Sequence, residues 1–300
     1  MSKAQDMSLL GLSGKVALIT GGGAGIGRAT AELFAEAGMR IAVAEIDPAR
    51  AAAVCGMLEA AGAESLVMEV DVRKSADVEQ LFASVERRFG RLDVLVNNVG
   101  DYLGYKTPFE HSAEDEWNAL YGINLLHIFH VTKAAIPLMR RSGDGGSIVN
   151  VSTVEAFRGI PLTVVYSAFK AAVTGFTQSL AVELGPDNIR VNAIAPETTN
   201  SAQIVATRRV PPENRSYISR WFPIGRFGEG SDSAGAALFL ASNRLSGWVT
   251  GSTILVDGGA LAAGAWMRLP DGKSWTHLPI IVADGYTPQS AYVPPQDEKS

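Results

Sequence analysis

Val16-Ala17-Leu18-Ile19-Thr20-Gly21-Gly22-Gly23-Ala24-Gly25-Ile26-Gly27 runs from an apolar segment into a cluster of glycines. It leads directly into Arg28-Ala29-Thr30-Ala31-Glu32-Leu33-Phe34-Ala35, whose apolar residues recur at helical spacing. Strand, glycine turn and helix in that order give a glycine motif its meaning. A strand that stops abruptly and feeds a helix needs backbone conformations that glycine adopts most cheaply. With no side chains in the way, a phosphate can approach the main chain at the helix N-terminus, where free N–H groups point outward. The stretch reads as a nucleotide-binding loop, with Gly21, Gly25, Ile26 and Gly27 as its candidate contacts.

Two neighbouring motifs do not fit. A P-loop needs Gly-x4-Gly-Lys followed by Ser or Thr, whereas Gly22 to Gly27 is followed by Arg28-Ala29. The lysine for the phosphates and the hydroxyl for magnesium are both missing. The plain G-x-G-x-x-G dinucleotide fingerprint also fails in strict register. What stands is Thr-Gly-x3-Gly-x-Gly, carried by Thr20, Gly21, Gly25 and Gly27.

Composition narrows the classes. The chain has 300 residues, 47% of them apolar and 19% charged, which is enough to bury a large core. With 31 acidic and 26 basic residues the net charge is −5 and no basic tract appears, so no nucleic-acid partner is expected. The single cysteine, Cys55, allows neither an internal disulfide nor a cysteine-based zinc site. The start, Met1 to Ser8, lacks the apolar segment of a signal peptide, and no apolar run reaches membrane-spanning length. A soluble, cytoplasmic protein is the expectation.

Along the chain, apolar runs at Val16–Thr20, Ile41–Ile46, Leu66–Val70, Val94–Asn97, Ser147–Val151, Val191–Ala195 and Thr253–Val256 read as strands. Several are nearly continuous, as in parallel strands covered on both faces. Helical patterns lie between them, at Ala49–Ala61, Ser75–Phe89, Ala113–Arg141, Leu162–Leu184 and Ser231–Ala241. Repeated βα units predict a parallel, doubly wound α/β sheet with right-handed crossovers. Residues 1–14 read as a flexible lead-in, 15–262 as one domain, and 263–300 as an extension whose Trp266 and Trp275 argue for an arm laid over the body or a neighbouring subunit.

The second strand ends near Glu45. An acidic residue about 20 positions beyond the loop is where a dinucleotide fold meets the adenosine ribose hydroxyls, and its charge repels a 2′-phosphate. Asp47 competes for this role, but Asp47-Pro48 reads more as the N-cap of the next helix. Arg50 is the one nearby residue suited to a phosphate.

Tyr166-Ser167-Ala168-Phe169-Lys170 places a phenol and an ammonium on one helix face. A phenol titrates near ~10, too high for a base at neutral pH, and a nearby ammonium favours its ionised form. Together, Thr20–Gly27, Asn97-Asn98-Val99-Gly100 and Tyr166–Lys170 resemble the short-chain dehydrogenase/reductase family over about residues 13–260. The resemblance implies a single Rossmann-type domain with a parallel seven-stranded sheet, an NAD cofactor, and a homotetramer. It implies hydride transfer between NAD(H) and a secondary alcohol or ketone, with Tyr166 as acid–base and Lys170 as its support. Asn124 matches the family's active-site asparagine, Asp71-Val72 its adenine contact, and Asn98 and Gly100 its motif after the fourth strand. Ala24 and Ile46 are neutral where NADP-preferring relatives often carry a basic residue.

Two positions depart from the family pattern. The family's serine thirteen residues before the tyrosine is Thr153 here, with Ser152 expected on the other side of the strand. The glycine that usually follows Pro196 is Glu197. Beyond it, Thr199 and Ser201 are the expected polar contacts for the carboxamide or phosphates. His127 and His130 are three apart on a helical stretch but lack a third ligand, so no metal is expected.

Long loops often carry specificity. Trp221-Phe222-Pro223, within 198–230, and Asp101–Tyr105 suggest an apolar cyclic substrate such as a steroid, terpenoid or hydroaromatic alcohol. The loop aromatics could equally serve only to pack the loop down. Two other functions stay open, an NADP-preferring carbonyl reductase and a non-catalytic dinucleotide-sensing protein.

Overall fold

The computed structural model describes residues 7–201, 205–206, 210–264, 266–268 and 275–276. Seven parallel strands form one sheet: β1 (Val16–Thr20), β2 (Arg40–Glu45), β3 (Ser65–Glu69), β4 (Val94–Asn97), β5 (Gly146–Val151), β6 (Ile189–Pro196) and β7 (Thr253–Val256). Their order is β3-β2-β1-β4-β5-β6-β7, so the chain winds one way from β1 to β3 and the other way from β4 onward. The reversal between β1 and β4 opens a crevice at the carboxyl ends of the strands, the place where ligands settle in such sheets. The seven strands lie within two residues of the runs read from the sequence.

The near-continuous apolar runs are explained by burial on both faces. In β1, Val16 and Leu18 face one layer while Ala17 and Ile19 face the other. The first layer is covered by α3 (Ser75–Phe89), α5 (His127–Ser142) and α6 (Val164–Glu183), through Leu81, Val131 and Leu180. The second is covered by α1 (Gly25–Glu36), α2 (Pro48–Ala60) and α7 (Gly230–Ala241), through Phe34, Leu58 and Leu240. Asp47 settles the start of α2, accepting a hydrogen bond from the Arg50 N–H at 2.9 Å with Pro48 at the first position.

One element differs in kind from its expectation. The single long helix predicted over 113–141 is broken into α4 (Glu114–Tyr121), a π-helical turn at Gly122–Leu126, and α5. The extra residue in that turn changes the register just where Asn124 sits, and such bulges concentrate at functional sites.

The N-terminal lead-in is also more ordered than expected where it is described. Met7–Leu10 forms a 3-10 turn, Leu12 is buried, and the Leu10 carbonyl accepts a hydrogen bond from the Ser242 hydroxyl at 2.6 Å. Residues 1–6 and most of the 263–300 extension lie outside the described residues; of the segment read as an arm, Met267–Arg268 and Trp275–Thr276 are described and pair antiparallel. Among the described residues no helix is long and apolar enough to cross a membrane.

Candidate active site

The glycine loop is held from the neighbouring strand. Thr20 Oγ1 accepts from the Asn98 N–H at 3.0 Å, and Asn98 Nδ2 donates to the carbonyls of Thr20 and Gly21 at 3.0 and 3.1 Å. Asn98 is therefore a strut for the loop. Gly21 and Gly25 take positive φ values of 63° and 52°. At Gly27 a Cβ would lie 2.2 Å from the Gly21 carbonyl oxygen, so only glycine lets α1 start this close to the turn. Ala24, at the cap position before α1, offers no side-chain cap, leaving the first N–H groups of the helix free to meet an anion.

Glu45 is buried at one end of the cleft, where its carboxylate accepts from the N–H groups of Gly23, Ile46 and Asp47 at 2.9, 3.0 and 3.1 Å. Arg50 and Arg73 line the same end. Asp71 and Val72 do not line it. Asp71 accepts from Nε and Nη2 of Arg73, each at 2.8 Å, which holds its carboxyl below the ordinary range, and Val72 packs into the core.

At the inner end, α6 presents Tyr166 and Lys170 toward the end of β5. Lys170 Nζ donates to the Val151 carbonyl at 3.1 Å and lies 5.9 Å from the centre of the Tyr166 ring. Gly100 makes room for it, since a Cβ there would sit 2.5 Å from Nζ. Burial lowers the Lys170 ammonium to about 8. Burial also raises the Tyr166 phenol well above its ordinary value, helped by the charges of Glu155 and Asp101 and opposed by a hydrogen bond with Thr153. Burial therefore sets the direction of the phenol in the free protein, and Lys170 is not among the groups that shift it.

Thr153 donates to the Pro196 carbonyl at 3.2 Å, while the Ser152 hydroxyl turns to the Lys170 carbonyl at 3.0 Å. Asn124, fully buried, accepts from the Asp101 N–H at 3.1 Å and donates to the Asp101 carbonyl at 2.7 Å. It fixes the segment entering the substrate end. Thr199 and Ser201 line the cleft on the far side of Gly25. Of the aromatics read as pocket walls, Tyr102 lines the cleft, but Trp221 is 66% exposed and away from it. Phe222 packs against Phe227, so it is the packing role that Phe222 fills. His127 is buried near Lys170 and burial lowers its imidazole to about 3, which keeps it neutral. No cluster of three metal-ligating side chains occurs among the described residues.

A family model described as enoyl-(acyl carrier protein) reductase matches residues 21–260. The chain belongs to the short-chain dehydrogenase/reductase family. Its fold agrees with solved members of that family. A carveol dehydrogenase from Mycobacterium avium in complex with NAD superposes with a TM-score of 0.77 at 30% identity, over 83% of this chain and 98% of that one. A 7α-hydroxysteroid dehydrogenase complexed with NADH and 7-oxo glycochenodeoxycholic acid gives 0.76 at 32% identity, over 83% and 94%. A 3-oxoacyl-[acyl-carrier-protein] reductase from Thermotoga maritima is 36% identical over 248 residues, 83% of this chain and 98% of that protein.

Short-chain dehydrogenase/reductases bind a nicotinamide dinucleotide, and this cleft fits one. Its volume is about 940 Å³, and it runs from Glu45 past the side-chain-free Gly21–Ile26 turn to Tyr166 and Lys170. A Cβ at Gly23 or Gly25 would press on Glu45 or Ser201, so the cradle depends on its glycines.

One interaction across this cleft gave no signal in the sequence. Arg158 joins Glu155, after β5, to Glu197, after β6, bonding Glu155 at 3.0 Å and Glu197 more closely. Glu197 also accepts from the Thr198 N–H and hydroxyl at 2.9 and 3.0 Å. Arg158→Met leaves the largely buried Glu197 carboxylate unpaired. Denaturant titration is expected to show a stability loss of about 1–2 kcal/mol, below the full cost of a buried pair because Arg158 is partly hydrated.

Proposed function

We propose that this oxidoreductase is NAD-dependent and interconverts a secondary alcohol and its ketone on an apolar, cyclic molecule. One juxtaposition supports the reading. Tyr166, Lys170 and Thr153 line one end of a single cleft whose other end is closed by the Glu45 carboxylate. The similarity to a solved carveol dehydrogenase and a solved 7α-hydroxysteroid dehydrogenase is consistent with the substrate class.

The roles follow from the positions. The Gly21–Gly27 turn and the open start of α1 would hold the dinucleotide's phosphates, Glu45 its adenosine ribose hydroxyls, and Thr199 and Ser201 the region beyond. When bound, the dinucleotide supplies or accepts the hydride. Tyr166 carries the proton, giving it to the carbonyl oxygen in reduction and taking it from the hydroxyl in oxidation. The Thr153 hydroxyl orients that oxygen. Lys170 biases the phenol by its charge, and Asn124 holds the Asp101 segment beside them.

Glu45 sets the preference for NAD. A 2′-phosphate placed against this carboxylate meets like-charge repulsion of about 1–4 kcal/mol at contact distance, depending on local hydration. Arg50 and Arg73 at the same end support the second reading, an NADP-preferring carbonyl reductase. The test is kcat/KM with NAD and with NADP on a panel of cyclic secondary alcohols, followed at the nicotinamide absorbance. NAD is expected to win by roughly 10-fold or more, with Glu45→Gln narrowing the gap. An NADP preference in the unaltered enzyme would establish the reductase reading. Tight NAD binding with no turnover on any alcohol or ketone would favour the sensing role.

A further inference from the structure

Three non-glycine residues among those described have positive φ: Leu103 at 56°, Leu162 at 68° and Asn188 at 56°. Asparagine tolerates this region because its side chain bonds locally, but leucine pays roughly 1–2 kcal/mol for it. Leu103 sits in a tight turn. The Tyr105 N–H donates to the Tyr102 carbonyl at 3.1 Å, and the following Gly104 also has positive φ, 75°. Two central residues at positive φ form the pattern that selects Asn, Asp or Gly at the first of them. Leucine is the wrong residue for that turn.

Packing does not repay the strain. Leu103 is 39% exposed and belongs to none of the apolar clusters of the described residues. The turn itself is firmly placed: the Leu103 N–H donates to Asp101 Oδ1 at 2.9 Å, and Asn124 holds the Asp101 main chain. Tyr102, just before it, sets its ring edge-on to Tyr166 with centres 6.5 Å apart. The chain therefore carries an exposed apolar side chain on a strained, well-anchored turn in the cleft wall beside the proposed proton carrier. Strain of this kind persists where function uses it.

We propose that Leu103 is a specificity-determining contact for the apolar body of the substrate, its strain offset only when the substrate covers it. The inference rests on the alcohol–ketone reading above and adds the residue that selects for apolar bulk. Leu162 supplies an internal control. It has the same backbone strain, and its carbonyl accepts from the Thr107 N–H at 3.0 Å, but its side chain lines a separate small cavity and not the cleft.

The test compares Leu103→Asn and Leu162→Asn with the unaltered enzyme, because asparagine suits the backbone at both positions. Tm of the free protein is measured first, then kcat and KM with cyclohexanol-type and larger fused-ring secondary alcohols and with 2-propanol. The NAD-bound enzyme is also scanned for the rise in Tm that each ring compound produces, a readout independent of turnover. Neither variant is expected to lose Tm. Leu103→Asn is expected to raise KM for the ring alcohols roughly tenfold while leaving kcat and 2-propanol unchanged, and to shrink the ring-induced Tm rise. Leu162→Asn is expected to keep both. Equal KM values for Leu103→Asn and the unaltered enzyme across the ring alcohols would overturn the inference alone. So would a fall in Tm for Leu103→Asn, since packing would then be repaying the strain. A ring-induced Tm rise that depends on Leu103 without turnover would leave it standing and overturn the alcohol–ketone reading. No turnover and no Tm rise with any ring compound would overturn both.

Discussion

Tyr166→Phe is expected to lower kcat for alcohol oxidation and ketone reduction by about 10²–10⁴, the range over which a positioned proton carrier acts. The substitution removes one oxygen and keeps the ring, so the edge-on contact with Tyr102 survives. Folding and dinucleotide affinity are expected to stay close to those of the unaltered protein, and KM to move much less than kcat. That split separates a proton carrier from a packing residue, whose loss would appear in Tm and KM first. Direction adds a second readout. In the free protein burial and the nearby Glu155 and Asp101 charges hold the phenol protonated across the ordinary pH range. Ketone reduction needs that form, so its rate is expected to vary little between pH 6 and pH 9. Alcohol oxidation needs the proton removed, so its rate is expected to climb from pH 6 and to level off near pH 8, where Lys170 begins to lose the charge that supports the ionised phenol. A Tyr166→Phe enzyme that keeps more than about a tenth of its kcat in both directions would take Tyr166 out of the mechanism.

The fold was legible because its signals are local and repeated. The alternate burial of Val16 and Leu18 against Ala17 and Ile19 makes an unbroken apolar run, and seven such runs separated by helical patterns admit few arrangements. The cleft was legible where spacing along one element fixes it: Gly21 to Gly27 within one turn, and Tyr166 with Lys170 on one helix face. What escaped is tertiary or conformational. Arg158 and Glu197 are 39 residues apart, and nothing in either stretch announces their pairing across the cleft. The π-helical turn at Gly122–Leu126 lies inside a stretch whose apolar spacing is helical throughout, so a register change of one residue leaves no trace in the pattern. Gly104 signals a turn, but the leucine before it hides that turn's type. The state of the Tyr166 phenol in the free protein is hidden for the same reason. Spacing shows that an ammonium is near, whereas the opposing cost comes from burial, which only the folded chain reveals.

Lys170→Met is expected to make the free protein more stable and the enzyme nearly inactive, and the two effects share one cause. Lys170 is buried, and its ammonium titrates near 8 in the folded chain against an ordinary value of 10.5. Below pH 8 both the folded and the unfolded chain hold this proton, so the full cost of burying the charge is present. Between 8 and 10.5 the folded chain has lost the proton while the unfolded chain still binds it, so stability rises with pH across that window. The shift corresponds to roughly 3 kcal/mol. Methionine keeps the stem and removes the charge, but it strands the Val151 carbonyl, which costs about 1 kcal/mol. The opposing attraction of Asp101 is already contained in that shift. A net gain of about 1–2 kcal/mol at pH 7 is therefore expected from urea titration. The rise in stability between pH 8 and 10.5 should flatten in the variant. Activity moves the opposite way, with kcat expected to fall on the order of 100-fold, because the positive charge that favours the ionised Tyr166 is gone. His127 does not replace it, since burial keeps that imidazole neutral at working pH. A Lys170→Met protein less stable than the unaltered chain at pH 7, with the same pH slope, would mean that the ammonium is well solvated in the folded state. The lysine would then be no buried charge kept at a cost to stability, and its support of Tyr166 would have to act through hydrogen bonding alone.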